Sequence, residues 1–345
     1  MARIHQMGRV IAACVLASIP LATGCAAGGS TPDSQGRETA LSSWNHGATR
    51  DRLIAFIGSA SDPASSGYIP EAERIAVFDN DGTLWAERPV YFQLLFALDR
   101  VREMAADHPE WATAQPFQAA IEGDMKALAE SGKEGLVKLV MATHAGMTTD
   151  EFATAVRDWV RTARHPESGQ PYTAMTYAPM LELLGYLRSN GFKTYIVSGG
   201  GVEFMRVFAQ EVYGIPPEQV IGTTIKTEFE MTATGPVIRR EAEIDFIDDK
   251  AGKPVSINRF IGRRPVLAFG NSDGDHEMLQ WTAAGDGPRL VGLVHHTDAA
   301  REWAYDREGH VGRLDAALDE ANDRGWLVVD MARDWDTVFA TPLER

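Results

Sequence analysis

The sequence predicts an α/β fold in which a doubly wound, parallel sheet is interrupted by an all-helical insertion. Two observations support this. Short buried runs rich in branched residues alternate with helical patterns, which is typical of parallel strands joined by helices. The alternation stops after the first strand, and residues 88–188 then show only the three-to-four spacing of helices. We expect a core of residues 44–87 and 189–345 with a helical block at 88–188.

The first elements follow from these patterns in order. Leu53 to Ile57 have helical spacing, and a turn rich in Ser, Pro and Gly follows them. Residues 74–79, RIAVFD, form a short buried strand. The helical block begins with PVYFQLLFALDRVREMA and ends with APMLELLGYLRSN. Within it, TTDE before Phe152 predicts a helix N-cap with acids in the first turn.

Strand patterns return after the block. Residues 220–240 predict a hairpin that turns near Thr234 and Gly235, and residues 325–330 predict an edge strand. The other predicted strands are residues 192–198, 265–270 and 288–296.

Composition limits the function classes. The chain has 345 residues, 44% of them hydrophobic, and a formal net charge of −15. It can therefore bury a sizeable core, but it has no basic stripe that would bind a phosphate backbone. The sequence argues against a nucleic-acid partner.

The N-terminus predicts export. Residues 1–24 combine two arginines, an apolar stretch and small residues, as a signal peptide does. The end of this segment, ATGC, resembles the lipobox of bacterial lipoproteins, although Ala22 stands where Leu is commonest. This resemblance implies that Cys25 is lipidated and that the membrane is reached only through this lipid. Ordinary secretory cleavage is the alternative. Residues 25–43 are small and polar and predict a flexible tether.

Four short stretches at strand ends carry candidate chemistry. They are Asp79-Asn80-Asp81-Gly82-Thr83, Ser198 with three following glycines, Lys250 or Lys253, and the stretch GNSDGD at 270–275. Ligands of open α/β sheets bind at the carboxyl ends of the strands, so we expect these stretches to meet at one edge.

Together these groups suit phosphoryl transfer. Clustered carboxylates favour a hard cation such as Mg²⁺, and a lysine, a hydroxyl and glycine amides favour phosphoryl oxygens. An aspartate among such groups can act as the nucleophile. Asp79 is the candidate because it ends the first strand.

These stretches resemble the four motifs of the haloacid dehalogenase (HAD) superfamily, in order and in strand context, over residues 70–300. The resemblance implies a Rossmann-like core, an aspartyl-phosphate on Asp79, and Mg²⁺ bound by Asp79 and the Asp81 carbonyl. Asp81 would act as the acid and base, and Thr83 would orient the loop. Dehalogenases of the superfamily lack the second aspartate, so Asp81 indicates a phosphatase.

The resemblance also assigns the later motifs. Ser198, Gly199 and Gly200 would hold phosphoryl oxygens. Lys253, at the start of a predicted helix, matches the motif lysine better than Lys250 does.

The fourth motif departs from the pattern of many relatives. Asn271 stands where a metal-ligating aspartate is expected, followed by Asp273 and Asp275. Either Asn271 is a neutral metal ligand, or Asp273 or Asp275 takes over that role. We favour Asn271 as the first ligand and Asp275 as the acid of the motif, which could also ligate the metal. A neutral ligand predicts weak affinity for Mg²⁺.

In this superfamily a helical insertion after the first motif is a mobile cap, which restricts substrates to small phosphorylated metabolites. Glu87 matches the region where phosphoserine-phosphatase-like relatives contact a substrate amine, so phosphoserine and phosphorylcholine are candidate substrates. An ordinary solvated glutamate is the alternative. Trp85, Tyr91 and Phe92 could form an aromatic wall for a quaternary ammonium, or pack in the core.

The sequence therefore predicts an exported, lipid-anchored phosphatase for small phosphomonoesters. Two alternatives remain open. One is a surface lipoprotein that binds phosphate or phosphoesters with little turnover, and the other is a phosphotransferase to an acceptor alcohol.

Overall fold

The computed structural model describes residues 40–340. Residues 1–39, which include Cys25 and the predicted signal peptide, lie outside the described residues. The folded part begins before the expected boundary at residue 44, because Leu41 is buried and the Ser43 amide donates to Glu182 (2.7 Å). The last residues of the predicted tether thus pack on the fold.

Within residues 40–340, seven strands form one sheet. They are β1 Ile75–Phe78, β2 Lys193–Gly201, β3 Val220–Thr232, β4 Gly235–Phe246, β5 Leu267–Gly270, β6 Leu290–His295 and β7 Leu327–Asp330. Their order in the sheet is β4-β3-β2-β1-β5-β6-β7. Neighbouring strands are parallel except β3 and β4, which form the predicted hairpin. The predicted parallel α/β sheet is confirmed.

The helices of the described residues alternate with the strands except in one long stretch after β1. They are α1 Ala48–Ser61, α2 Phe92–Met104, α3 Phe117–Glu122, α4 Met125–Glu130, α5 Gly132–His144, α6 Thr149–Thr162, α7 Ala178–Ser189, α8 Val202–Arg206, α9 Ala209–Tyr213, α10 Gly252–Phe260, α11 His276–Ala283, α12 Ala316–Arg324 and α13 Met331–Asp334. No helix in this part of the chain is long and apolar enough to cross a bilayer.

Helix α6 starts as its sequence predicts. The Thr148 side chain accepts the amide of Glu151 (3.1 Å), and the Glu151 carboxylate accepts the amide of Thr148 (2.8 Å). This capping box satisfies two amides that the helix itself leaves unpaired.

Side chains on the two faces of the sheet pack into two separate hydrophobic clusters. Phe78 belongs to one cluster and Val77 to the other, since successive side chains of a strand point to opposite faces. Helices α2 to α5 contribute to a third, smaller cluster that includes Trp111 and Phe117. Part of the helical insertion thus packs around a core of its own, while Phe92, Phe152 and Trp159 join the main cluster.

The last helix of the expected insertion belongs to the core instead. The buried residues Leu183 and Leu187 of α7 join the main cluster, and α7 packs against β2. The insertion therefore ends before Ala178 rather than at 188, because an amphipathic helix has the same sequence pattern whichever domain receives its apolar face. We call residues 88–177 the cap.

The β3–β4 hairpin extends beyond the sheet and contacts the cap. The sequence did not predict this contact. The carbonyl of Arg240 accepts the amide of Gly146 (2.8 Å), and the amide of Arg240 donates to Met147 (2.9 Å). The Arg240 guanidinium also donates to the carbonyl of His144 (2.8 Å). These bonds tie β4 to the loop between α5 and α6.

Candidate active site

The central strand β1 delivers Asp79 to the point where the sheet changes direction. The chain passes from β1 to β2 on one side and later to β5 on the other. Such a switch point opens a crevice at the carboxyl ends of the strands, which is where ligands of this architecture bind. Asp79 is 6% exposed, and its amide donates to the carbonyl of Phe269 in β5 (2.9 Å).

The loop after Asp79 depends on Gly82. Its φ is 76°, in the left-handed region that favours glycine, and an added Cβ would lie 2.0 Å from Nδ2 of Asn271. The carbonyl of Asn80 accepts the amide of Leu84 (2.8 Å) and closes the turn. The carboxylate of Asp81 accepts the indole N–H of Trp85 (2.8 Å). The turn therefore fixes Asp81 beside Asp79.

Lys253 is the buried cation of the site. Its ammonium lies 2.6 Å from Asp79 Oδ1, 2.5 Å from Asp275 Oδ1 and 2.9 Å from the carbonyl of Val197. Burial alone would lower the pKa of Lys253, but the Asp275 and Asp79 carboxylates hold it above its ordinary value. Lys250 is exposed. The geometry therefore favours Lys253 as the predicted lysine.

The carboxylates carry more negative charge than Lys253 can balance. Burial and the nearby Asp275 raise the pKa of Asp79 above its ordinary value, and burial raises the pKa of Asp81 to about 6. Burial likewise raises the pKa of Glu87 well above its usual range. Such shifts mark carboxylates gathered in a site of low polarity with too little positive charge.

Ser198 and its glycines lie where the second motif predicts them. Ser198 is buried near the end of β2, and its hydroxyl oxygen accepts the amide of Gly200 (3.2 Å). The Gly201 amide is occupied by the side chain of Gln93 from the cap (2.7 Å). Ser198, Gly199 and Gly200 line the same cleft of about 350 Å³ as Asp79 and Lys253.

Asn271 is buried directly after β5, and the two polar atoms of its side-chain amide bind different partners. Its Oδ1 accepts the hydroxyl of Thr83 (3.1 Å), and its Nδ2 donates to Glu87 Oε1 (2.8 Å). The same oxygen of Glu87 accepts the hydroxyl of Tyr305 (2.8 Å). Glu87 is thus a buried, hydrogen-bonded group, and the alternative of an ordinary solvated glutamate is wrong.

The structure separates the two acids after Asn271. Asp275 binds Lys253, and its other oxygen accepts the amides of Asn271 and Ser272 (both 3.0 Å). Asp273 instead accepts the amides of Asp315 and Ala317 (both 3.0 Å) at the start of α12. Asp273 caps a helix, so its expected alternative role as a metal ligand is not supported by its position.

The donor set fits a hard cation. No group of three or more His, Cys, Asp or Glu side chains within residues 40–340 forms a metal cluster by itself. Asp79 has a carboxylate, Asp81 a backbone carbonyl and Asn271 a side-chain amide oxygen, and all three are donor types that Mg²⁺ accepts. The excess of buried carboxylates over Lys253 favours a divalent ion at this position.

A buried network that sequence reasoning missed supports the loop. His296 follows β6 directly and is buried. Its Nε2 lies 2.8 Å from the carbonyl of Gly82, and its Nδ1 lies 3.2 Å from Glu302 Oε2. Tyr177 donates to the other oxygen of Glu302 (2.9 Å). His296 thus links the Gly82 carbonyl of the catalytic loop to the buried carboxylate of Glu302. The available sequence signal was its place at the carboxyl end of β6.

The three aromatic residues after the first motif have different environments. Trp85 is fully buried against Phe92 and Phe208, with ring centroids 4.8 and 4.7 Å away. Core packing therefore explains Trp85 and Phe92. Tyr91 is 42% exposed and lines the cleft.

The fold of this chain resembles that of one solved structure at a TM-score above 0.5, and other structures match at lower scores. The chain is similar to a functionally unknown protein from Anaerococcus prevotii (16% identity, TM-score 0.52, 80% of this chain and 88% of that one). It is also similar to a protein of unknown function from Bordetella pertussis (16% identity, TM-score 0.46, 75% and 99%). A phosphoserine phosphohydrolase-like protein from Francisella tularensis matches at 15% identity and TM-score 0.40 (76% and 95%).

None of the curated proteins matches this chain in sequence. Residues 76–280, more than half of the chain, match the family model of haloacid dehalogenase-like hydrolases. This stretch runs from β1 to α11 and contains the aspartates, Ser198, Lys253 and Asn271. The chain belongs to the haloacid dehalogenase-like hydrolase family.

Proposed function

We propose that this hydrolase is a phosphatase that cleaves small phosphomonoesters with Mg²⁺. The observation that carries the proposal is the arrangement of Asp79, Asp81 and Lys253 at the switch point of the sheet. A second acid next to the nucleophile is needed for an alkoxide leaving group. Asp81, whose pKa burial raises to about 6, can hold a proton near neutral pH.

In the first step a carboxylate oxygen of Asp79 attacks phosphorus and the ester P–O bond breaks. Asp81 gives its proton to the departing alcohol oxygen. In the second step Asp81 takes a proton from water, whose oxygen attacks phosphorus, and phosphate and the Asp79 carboxylate are released. Ser198 and the amide of Gly199 would hold phosphoryl oxygens, and Lys253 would keep Asp79 ionised and oriented.

Asp79, the Asp81 carbonyl and Asn271 would hold Mg²⁺, and Asp275 would act through Lys253 and the loop amides that it binds. When bound, the cation supplies neutralisation of the charge that develops on the phosphoryl oxygens. Asn271 would contribute no charge to this site, and weak Mg²⁺ binding stays our expectation.

The test is hydrolysis of an aryl phosphate by residues 40–345 in the presence and absence of Mg²⁺. We expect Mg²⁺-dependent turnover that Asp79→Asn abolishes. Tight phosphate binding without turnover would favour the binding lipoprotein instead. Transfer of phosphate to added alcohols, seen in the products, would favour a phosphotransferase.

We also propose that the protein is exported and anchored through a lipid on Cys25. The signal-like residues 1–24 and the ATGC sequence support this. Metabolic labelling with a fatty acid should mark the wild-type protein in a bacterial host, and Cys25→Ser should remove the label. Labelling that persists in the Cys25→Ser variant would contradict the proposal.

A further inference from the structure

The catalytic cleft borders a second chamber, which we call the annex. It has a volume of about 230 Å³ and lies between the cap helices α5 and α6 and the β3–β4 hairpin. Its lining is mostly apolar and includes Val137, Met141, Phe152, Ile225 and Ile244.

The annex and the catalytic cleft share a wall. The residues that line both are Gln93, Leu136, Val140, Gly199 and Ile247. A phosphoryl group held at Gly199 thus has the annex beside it. The three aliphatic members make this shared boundary apolar.

The charged groups of the annex are already paired. Arg240 is 3% exposed, forms an ion pair with Glu203, and donates to the carbonyl of His144 (2.8 Å). Its guanidinium also lies 3.8 Å from the ring centroid of Phe152. Arg240 therefore has little to offer a carboxylate on a substrate.

The cleft next to the annex is strongly acidic. Of the lysines and arginines in residues 40–340, Lys253 and Arg240 are the two that line these chambers. Lys253 already meets Asp79 and Asp275. An anionic leaving group would face Asp81 and Asp249 without a free cation, and would lose its hydration on entering an apolar space.

Glu87, the residue expected to contact a substrate amine, has one carboxylate oxygen that is already occupied. The oxygen of Glu87 nearest to the catalytic loop already accepts from Asn271 and Tyr305. Competition with these two buried bonds disfavours an ammonium at that oxygen.

We infer that the annex binds the leaving group and that the preferred substrates are phosphomonoesters of uncharged, apolar alcohols. This inference rests on the proposed phosphatase function and names its substrate class. Phosphoserine, whose leaving group carries both charges, should be a poor substrate.

The test is a series of n-alkyl phosphates from methyl to octyl, compared by kcat/KM, because the chemistry of the ester is nearly constant along the series. We expect kcat/KM to rise about threefold per added methylene until the annex is filled. Phosphoserine and glycerol 3-phosphate should not exceed methyl phosphate. A flat series, or phosphoserine better than octyl phosphate, would overturn the inference.

Two matched variants on one strand locate the effect. Ile244 lines the annex, whereas Ile238 on the same strand is 40% exposed and outside it. Ile244→Glu should lower the ratio of octyl to methyl phosphate turnover at least about tenfold, and Ile238→Glu should leave the ratio unchanged. Val137→Trp, which fills the annex with an apolar ring, should lower the same ratio. An unchanged ratio in both annex variants would contradict the assignment.

Binding of n-alkylphosphonates, which cannot be hydrolysed, separates this inference from the proposed function. If no phosphate ester is turned over, the phosphatase proposal fails. Calorimetry of the phosphonate series would then still show whether affinity rises with chain length, as the annex requires. Affinity independent of chain length would overturn the inference whether or not esters are hydrolysed.

Discussion

The ammonium of Lys253 lies 2.6 Å from a carboxylate oxygen of Asp79 and 2.5 Å from one of Asp275, and it is 1% exposed. One buried cation therefore ties the first motif to the fourth, since Lys253 lies 174 residues after Asp79 and 22 residues before Asp275. Removing one partner of such a group leaves an uncompensated buried charge.

Lys253→Met should abolish turnover and lower the free energy of unfolding by about 3–5 kcal/mol, because Asp79 and Asp275 then remain buried without a cation. Denaturant unfolding and kcat/KM measure the two effects. Lys250→Met is the matched control, since Lys250 is exposed three residues away and should keep both values near wild type. Equal losses in the two variants would argue against Lys253 as the site lysine.

Asn271→Asp should tighten Mg²⁺ binding but destabilise the protein without the metal. The new carboxylate would lie against Glu87 Oε1, which Asn271 Nδ2 now meets at 2.8 Å. Calorimetric titration with Mg²⁺ and thermal unfolding in chelator measure the two quantities. Adding Glu87→Gln should restore the metal-free stability. Full activity of the wild type at trace Mg²⁺, with no tighter binding in Asn271→Asp, would contradict the account.

His296→Gln should lower kcat about ten- to a hundredfold with little change in KM, because the Gly82 carbonyl loses the donor that positions the catalytic loop. His295→Gln is the control on the neighbouring residue, which faces Asp306 instead. A purely structural role would appear as lower stability with unchanged kcat in the folded fraction. That outcome would remove His296 from the positioning network.

The pH dependence of stability should include a contribution from His144. Burial, with help from Arg240, lowers the pKa of His144 to about 3, whereas the unfolded chain binds a proton near pH 6.5. The contribution of His144 to the free energy of unfolding is therefore fully present above pH 6.5. As the pH is lowered from 6.5 to 3, this contribution decreases by about 1.4 kcal/mol per pH unit, because the unfolded chain takes up a proton that the folded state does not bind.

Urea unfolding between pH 4 and 7 checks this sign. His144→Gln should flatten the pH dependence relative to wild type, while His310→Gln, at an exposed histidine, should leave it unchanged. A wild-type protein that gains stability as the pH falls, with His144→Gln showing the same slope, would show that His144 is charged in the fold.

The sequence predicted the parts of the site that depend on strand ends. Asp79 and Asp275 follow buried strands, Ser198 lies near the end of another, and parallel strands bring their carboxyl ends to one edge. The hairpin turn and the start of α6 were also predictable, because turn and cap residues act locally.

Contacts between distant segments were not predictable in this way. His296 meets Gly82 across 214 residues, and Arg240 reaches the cap from the far end of a long hairpin. The residues next to His296 and Arg240 in the sequence show no pattern that predicts these distant contacts. Helix α7 was assigned to the cap for a similar reason, because its apolar stripe does not show which surface will cover it.

The most direct test of the central claim is to trap the phosphorylated enzyme. Asp81→Asn should slow hydrolysis of the intermediate, since Asp81 takes the proton from water, while an aryl phosphate still phosphorylates Asp79 without an acid. Acid quenching with a radiolabelled aryl phosphate and peptide mapping should place a hydroxylamine-labile phosphate on Asp79. Turnover with no covalent phosphate on Asp79, or label that persists in Asp79→Asn, would contradict the account.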